Sequence, residues 1–216
     1  MAIRNGRTIT LEKKPRIIGN AAVVGRKEGE GPLGTEFDEI NDDTTLGEEC
    51  WEKSESELLK RAIERALQKT AMSPTEIDAI FSGDLLNQCI STTFAIRGMS
   101  IPSVGLYGAC STMALSLVMG ALAIESGACG HCIASTSSHF CSAEKQFRFP
   151  LEYGGQRTPT AQWTVTGAGA ALLSAHDSQL SPYISKVHIG TIQDYGITDA
   201  NNMGAAMAPV DVKIEP

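Results

Sequence analysis

Apolar positions along the chain switch repeatedly between helical and strand spacing, and the switches set out an alternation of elements. Leu58, Leu59, Ala62, Ile63, Ala66 and Leu67 recur at helical period and predict one buried stripe. Ser54 with Glu57 has capping-box spacing, so that helix is expected to open near Ser54. Ser73-Pro74-Thr75-Glu76 repeats the start signal with proline at the first helical position and predicts a short helical turn. Ile77-Asp78-Ala79-Ile80-Phe81-Ser82-Gly83-Asp84 reads as a strand ending in a turn, and residues 86–97 as a helix. Ile101-Pro102-Ser103-Val104-Gly105-Leu106 then reads as a short buried strand. Ala114, Leu115, Leu117, Val118, Ala121, Leu122 and Ile124 predict a helix apolar on most faces, hence buried, with Gly127 as its C-terminal cap. Cys132-Ile133-Ala134-Ser135-Thr136 is the next strand. A β-α-β-α-β order of this kind predicts an α/β sheet with helices on both faces.

The flanking segments are less regular. Pro15-Arg16-Ile17-Ile18-Gly19 and Ala21-Ala22-Val23-Val24-Gly25 suggest a strand pair or one interrupted strand. Residues 27–51 are rich in glycine and acid and read as a long solvated loop. They lack the calcium-loop register, so no ion is assigned to them. Residues 163–174 read as a strand pair broken by a glycine turn or as one strand with a glycine bulge. Tyr183-Ile184-Ser185-Lys186-Val187-His188-Ile189-Gly190 is another strand, and periodicity is lost after Asp194-Tyr195-Gly196.

Composition narrows the classes. A chain of 216 residues, 42% apolar with 21 glycines, can form one large or two small domains around a real core. Net charge is −7, and no Lys/Arg cluster is interleaved with aromatics, so a nucleic-acid footprint is missing. The basic N-terminus lacks an apolar segment of signal-peptide length, which makes a cytosolic setting the default. The longest apolar run, 113–124, is shorter than the roughly 20 residues a bilayer span needs. Any membrane link is therefore expected to be peripheral. Six cysteines are too sparse for a disulfide scaffold.

The candidate chemistry centres on Tyr107-Gly108-Ala109-Cys110-Ser111-Thr112-Met113, a glycine-flanked cysteine where strand gives way to helix. Unpaired backbone N–H groups and the macrodipole at a helix N-terminus favour thiolate. Cys110 is thus a candidate nucleophile, with a small core cysteine at a strand-to-helix joint as the alternative. Cys129-Gly130-His131-Cys132 matches a disulfide-isomerase motif literally, but here a helix ends before it and a strand starts within it. That is the reverse of the order that acidifies a thiol, and the spacing is too tight for zinc, so neither redox nor metal work is assigned.

These landmarks resemble the thiolase and ketoacyl-synthase fold: a strand leading to G-A-C-S-T-M-A and a buried helix, a strand leading to T-S-S-H-F, then G-A-G-A-A-L-L-S. More narrowly, four segments resemble the stage V sporulation protein AD family over about residues 6–209. They are Ser137-Ser138-His139-Phe140, residues 144–150, residues 158–167, and Asp194-Tyr195-Gly196 with Asn201-Asn202-Met203-Gly204. The resemblance implies a thiolase-like N-terminal βαβ half over 1–190, a mixed sheet covered by helices, and a truncated start of the C-terminal half over 191–216, most of that half being absent. It implies a homodimer formed through an edge strand, in the cytoplasm of the developing spore and peripheral to its inner membrane. The ligand would be dipicolinic acid (pyridine-2,6-dicarboxylate), free or as its calcium chelate. The partners would be membrane channel subunits of the same spore transport system.

In that setting Cys110, Ser111, Ser138, His139 and Phe140 are the candidate ligand-binding residues, with no protein-held metal and no cofactor. Backbone N–H groups at the start of the Ser111 helix would take one carboxylate. His139, Lys145, Arg148 or Arg157 would complement the other, and Phe140, Phe147 or Tyr107 would stack on the ring. The competing expectation is an acyltransferase in which Cys110 accepts an acyl group from coenzyme A or an acyl carrier. Related synthases acylate the matching cysteine, but they draw their catalytic His and Asn from the half that this reading finds missing.

Overall fold

A computed structural model describes residues 2–86, 88–147, 164–176 and 180–192 together with Asp194, Gly196 and Thr198, the side chains of 144–147 excepted. Its elements in chain order are β1 (Ile3–Asn5), β2 (Thr8–Thr10), β3 (Arg16–Gly25), α1 (Arg26–Gly29), β4 (Glu39–Asn41), α2 (Trp51–Thr70), β5 (Ala79–Asp84), α3 (Ile90–Ile96), β6 (Ser103–Gly105), α4 (Thr112–Ser126), β7 (His131–Ser138), α5 (Phe140–Phe147), β8 (Gly167–Ser174) and β9 (Lys186–His188).

Six strands form a mixed sheet in the order β4-β3-β8-β7-β5-β6. β8 is antiparallel to both of its neighbours, β3 and β7, whereas β5 runs parallel to β7 and β6, and β4 runs parallel to β3. The glycine-rich segment before Ser174 is therefore one uninterrupted strand. β3 is likewise one strand, interrupted only by a register shift between Ile17 and Gly19.

The sheet separates two cores. On one face α2 lays down the stripe read from the sequence, Leu58, Leu59, Ala62, Ile63, Ala66 and Leu67, against Val23, Ile80, Ile133 and Leu172, with Ala95 and Ile96 of α3 alongside. On the other face Ile124 of α4 meets Phe81, Cys132, Ala134 and Leu173. A small antiparallel sheet, β1-β2-β9, packs Leu11 and Val187 onto Ala121 from outside.

Several sequence expectations are corrected. α2 starts at Trp51 with Cys50 as N-cap, so Ser54 lies inside the helix, its hydroxyl donating to the backbone oxygens of Thr45 and Cys50. The capping box is instead realised at Ser73, whose hydroxyl accepts from Thr75 N while Ser73 N donates to Glu76 Oε2 at 2.7 Å. Strand 101–106 shrinks to β6, which is exposed because, among the described residues, it is the outermost strand and pairs with β5 alone. The acidic stretch after residue 27 is not all loop. It contains α1 and β4, and its Asp38 and Glu39 pair with Lys69 and Arg61 of α2 at 2.7 and 2.9 Å.

Helix α4 departs most informatively. Its buried residues are Thr112, Ser116, Gly120, Ala121, Ile124 and Glu125, small over the first two turns, and a Cβ on Gly120 would lie 2.7 Å from Leu173 Cδ1. Small side chains let the helix axis approach the sheet closely, so Met113, Leu117, Val118 and Met119 stay half-buried around the sides. Residues 109–126 have the length and mean hydropathy, 1.5, to cross a bilayer, contrary to the estimate from the shorter apolar run. In this fold they lie between the main sheet and the small one.

Candidate functional site at the head of helix α4

Strand pleat decides which side chains can meet at the C-terminal ends of β5, β7 and β8. In β7, Cys132 and Ala134 pack in the α4-side core and Ile133 in the α2-side core. Alternation therefore places Thr136 and Ser138 on the α4 face, and Ser135 and Ser137 on the α2 face. Ser138 pairs with Gly167, which also pairs with Val24, and Thr136 pairs with Gly83. The floor of the α4 face at this end is thus built from glycines and small hydroxyl residues.

Gly83 brings the Cys110 turn down onto this floor. A Cβ there would run into the Leu106 carbonyl oxygen and come 2.8 Å from Thr112 Cγ2, so no other residue permits the approach. Leu106 N donates to Ser82 O at 2.8 Å and fixes the start of the turn. The chain then passes through a single 3-10 turn, Ala109–Ser111, before α4 begins. Ala109 sits in the left-handed region at φ 44, a strained conformation for a residue with a Cβ. Ser111 Oγ folds back to donate to Gly108 O at 2.7 Å, and Thr112 Oγ1 donates to Ala109 O at 2.7 Å. The outcome is an exposed Cys110, flanked by exposed Ser111 and by Tyr107, whose side chain is 60% exposed. Ser138 Oγ, on the same face of the sheet, is buried without a hydrogen-bond partner among the described residues.

His139 turns the other way. Its ring stacks on Trp51 at the start of α2, with centroids 5.2 Å apart, and the residue is 1% exposed. Nε2 lies 2.9 Å from Thr44 O and Nδ1 accepts from Cys141 N at 3.2 Å. A carbonyl can only accept, so Nε2 carries the hydrogen and the imidazole is neutral. Phe140 is half-buried, and its N donates to Thr166 Oγ1 at 3.0 Å, capping the start of α5. The structure therefore groups Cys110, Ser111 and Ser138 on the α4 side, while His139 anchors the connection to α5 from the α2 side. Arg148 and Arg157, and the side chains of Lys145 and Phe147, lie outside the described residues.

A buried carboxylate pair was not anticipated from the sequence. Glu55 of α2 accepts from Ser137 Oγ at 3.1 Å and Ser142 Oγ at 2.9 Å, and Asp84 at the end of β5 accepts from Cys89 N and the Thr92 hydroxyl. Both residues are essentially inaccessible to solvent. Burial, with the Asp84 charge adding to it, pushes the Glu55 carboxyl up to about 7 against the hydrogen bonds that lower it. The signal was present: Glu55 precedes Leu58 and Leu59 by three and four positions and so lies on the buried stripe.

The C-G-H-C segment is buried at both thiols. Burial raises the Cys129 pKa and pushes Cys132 up to about 12, which suits packing more than nucleophilic chemistry. Among the described residues no group of three or more His, Cys, Asp or Glu is placed to hold a metal ion.

The profile of the stage V sporulation protein AD family matches residues 5–214. Stage V sporulation protein AD of Bacillus subtilis (strain 168) is 38% identical over 205 residues, covering 94% of this chain and 60% of that protein. Among solved structures, the priming β-ketosynthase of the R1128 polyketide pathway superposes with a TM-score of 0.52 at 19% identity, over 81% of this chain and 54% of that one. An H285A form of Xanthomonas campestris OleA gives 0.53 at 13% identity, over 76% and 57% of the two chains. The chain thus spans between half and two thirds of the length of these proteins. The likeness to the solved structures shows a thiolase-like fold, and the profile together with the Bacillus relative shows that the chain belongs to the stage V sporulation protein AD family.

Proposed function

We propose that this chain binds dipicolinic acid, alone or as its calcium chelate, at the head of α4 and supports its uptake into the developing spore without chemical turnover. Membership of the sporulation protein AD family over residues 5–214 is the observation that carries this reading. The geometry agrees with it in part. The N–H groups of Ser111 and Thr112 are taken up by Gly108 O and Ala109 O, so the sequence expectation of a carboxylate on them is not met, while the exposed Tyr107 ring beside Cys110 offers a stacking face above a floor of Gly83, Thr136, Ser138 and Gly167. His139 and Phe140 act from behind by fixing the segment that follows Ser138. The channel subunits of the same transport system are its partners, at the periphery of the inner membrane. A second copy pairs along the edge strand β6, whose Val104 and the α3 residues Ile90 and Phe94 are all about half exposed.

The test is a calorimetric titration of the folded chain with dipicolinate, with and without calcium. Saturable binding that survives Cys110→Ala and weakens with Tyr107→Ala, which removes the stacking face, is expected. A chain that melts cooperatively yet binds neither form of the ligand would overturn the proposal.

A further inference from the structure

The cations of this chain fall into two populations. Those on α1 and α2 are spent on carboxylates: Arg26 on Glu30, Lys53 on Glu49, Arg61 on Glu39 and Glu57, and Lys69 on Asp38. Segments 2–25 and 180–192, which carry the small sheet β1-β2-β9, are different. They hold Arg4, Arg7, Lys13, Lys14, Arg16 and Lys186 against one acid, Glu12, in a chain of net charge −7. Arg4, Arg7, Lys14 and Lys186 are exposed and make no ion pair among the described residues. The result is a local positive field on an acidic protein.

Backbone bonds join the two segments into one ribbon. Ile189 N donates to Arg7 O at 3.2 Å, Thr8 and Thr10 pair with His188 and Lys186, and Leu11 N and Ile17 N donate to Ser185 O and Pro182 O, each at 2.9 Å. Leu11 and Val187 fix its inner side by packing on Ala121 of α4, with Ile9 beside them. Pleating therefore turns Lys186 and His188, which flank Val187, outward, and with them Ile3, which shares the register row of Thr10 and Lys186. Apolar side chains accompany the cations along the ribbon. Ile3, Leu180, Ile189 and Ile192 are all more than half exposed, Leu180 and Ile192 fully so. At one end Arg7 Nη1 donates to Thr191 Oγ1 at 3.4 Å, next to Ile192. At the other, Arg16 Nη1 donates to Ser181 O at 3.0 Å, next to Leu180, while Lys14 and Arg16 stand 5.3 and 4.8 Å from the centre of the exposed Tyr183 ring.

We propose that the outer face of this ribbon docks on an anionic lipid surface, with Arg7, Lys14 and Lys186 meeting lipid phosphates and the exposed isoleucines and leucine entering the headgroup region. Cations without carboxylate partners complement the charge of such a surface, and a bilayer interface also accepts the aliphatic side chains between them. Those side chains are spread along the ribbon and not gathered in a groove, which suits a fluid surface better than the fixed pockets of a protein partner. Each lysine or arginine near an anionic leaflet strengthens partition about fivefold. This inference deepens the peripheral placement in the proposed function and rests on that part of it alone, since dipicolinate binding neither requires nor excludes a docked ribbon.

The test is co-sedimentation of the full chain with vesicles of phosphatidylcholine, pure or with about one third phosphatidylglycerol, at low and high salt. Binding is expected only with phosphatidylglycerol and falls at high salt. Arg7→Gln with Lys186→Gln, and Leu180→Ser with Ile192→Ser, should each weaken it about tenfold or more; all four side chains are exposed. Lys53→Gln with Lys60→Gln removes the same charge from α2 and should change binding less than about twofold. Undiminished binding in either ribbon variant, or equal weakening in the α2 variant, overturns this face and leaves the peripheral placement standing. No binding to any vesicle overturns both, in favour of an acidic protein surface, and the dipicolinate titration is independent of either result. If a ribbon variant fails to fold, acetylation of the unsubstituted chain decides: anionic vesicles slowing Lys186 relative to Lys53 supports the docking, and equal rates refute it.

Discussion

Replacing Gly83 by alanine probes the contact that sets the Cys110 turn on the sheet. The added methyl runs into Leu106 O and lies 2.8 Å from Thr112 Cγ2. Neither neighbour yields freely: Leu106 N is held to Ser82 O at 2.8 Å, and Thr112 is 1% exposed with its hydroxyl on Ala109 O at 2.7 Å. Overpacking of this kind costs about 1–3 kcal/mol. Moving Leu106 away forfeits a backbone hydrogen bond worth about 0.5–1.5 kcal/mol more. The expected loss is therefore about 2–4 kcal/mol, or roughly 5–15 °C in Tm for a chain of this size. Urea unfolding followed by circular dichroism reads it directly. Gly98→Ala is the control, since that glycine has no positive φ and a Cβ there meets nothing within 4 Å. It should be neutral or stabilise by a few tenths of a kcal/mol. A Gly83→Ala chain within about 0.5 kcal/mol of the parent would refute the packing of residues 106–112 described above.

Further outcomes follow from other parts of the fold. The folded Glu55 pKa, about 7, lies above the ordinary value of 4.5, so the folded state binds the proton more tightly than the unfolded one. Its contribution to stability is intact below pH 4.5, declines as pH rises and is fully lost above about 7, a change of about 3 kcal/mol that Glu55→Gln abolishes; denaturation midpoints across that window check it. Ser73→Ala should cost about 1 kcal/mol by removing a complete capping box, measured by the same unfolding curves. Under native conditions a thiol reagent should modify exposed Cys110 and Cys50 well before Cys132, which reacts only on unfolding; mass-spectrometric mapping of the labelled peptides decides.

What the sequence disclosed depended on how local each cause was. The α2 stripe, the Ser73 box and the Gly127 cap at φ 83 arise from residues a few positions apart, and each is found where the pattern puts it. The start of α2 was misplaced because Ser54 and Glu57 have capping-box spacing but occupy helix-interior positions, with Glu57 spent on Arg61 at 2.9 Å. β6 was expected to be buried because edge position is a property of strand order and not of composition. The helix after Cys110 is found where the pattern puts it, with Ala121 and Ile124 buried as expected, but Ala114 is exposed, Leu115, Leu117, Val118 and Leu122 are half-buried, and Thr112, Ser116 and Gly120 are buried instead. Around the candidate site, Cys110 and the Ser138 strand end were legible as motifs. The opposite facing of Ser138 and His139 follows only once β7 is placed between the α2 and α4 cores.

The most direct test of the ligand site is protection of Cys110 from a thiol reagent by dipicolinate, with exposed Cys50 as the internal reference. The account predicts that saturating dipicolinate slows Cys110 modification about tenfold or more, since a bound ligand excludes reagent from the head of α4, and leaves Cys50 unchanged. Equal rates at Cys110 with and without the ligand would contradict it.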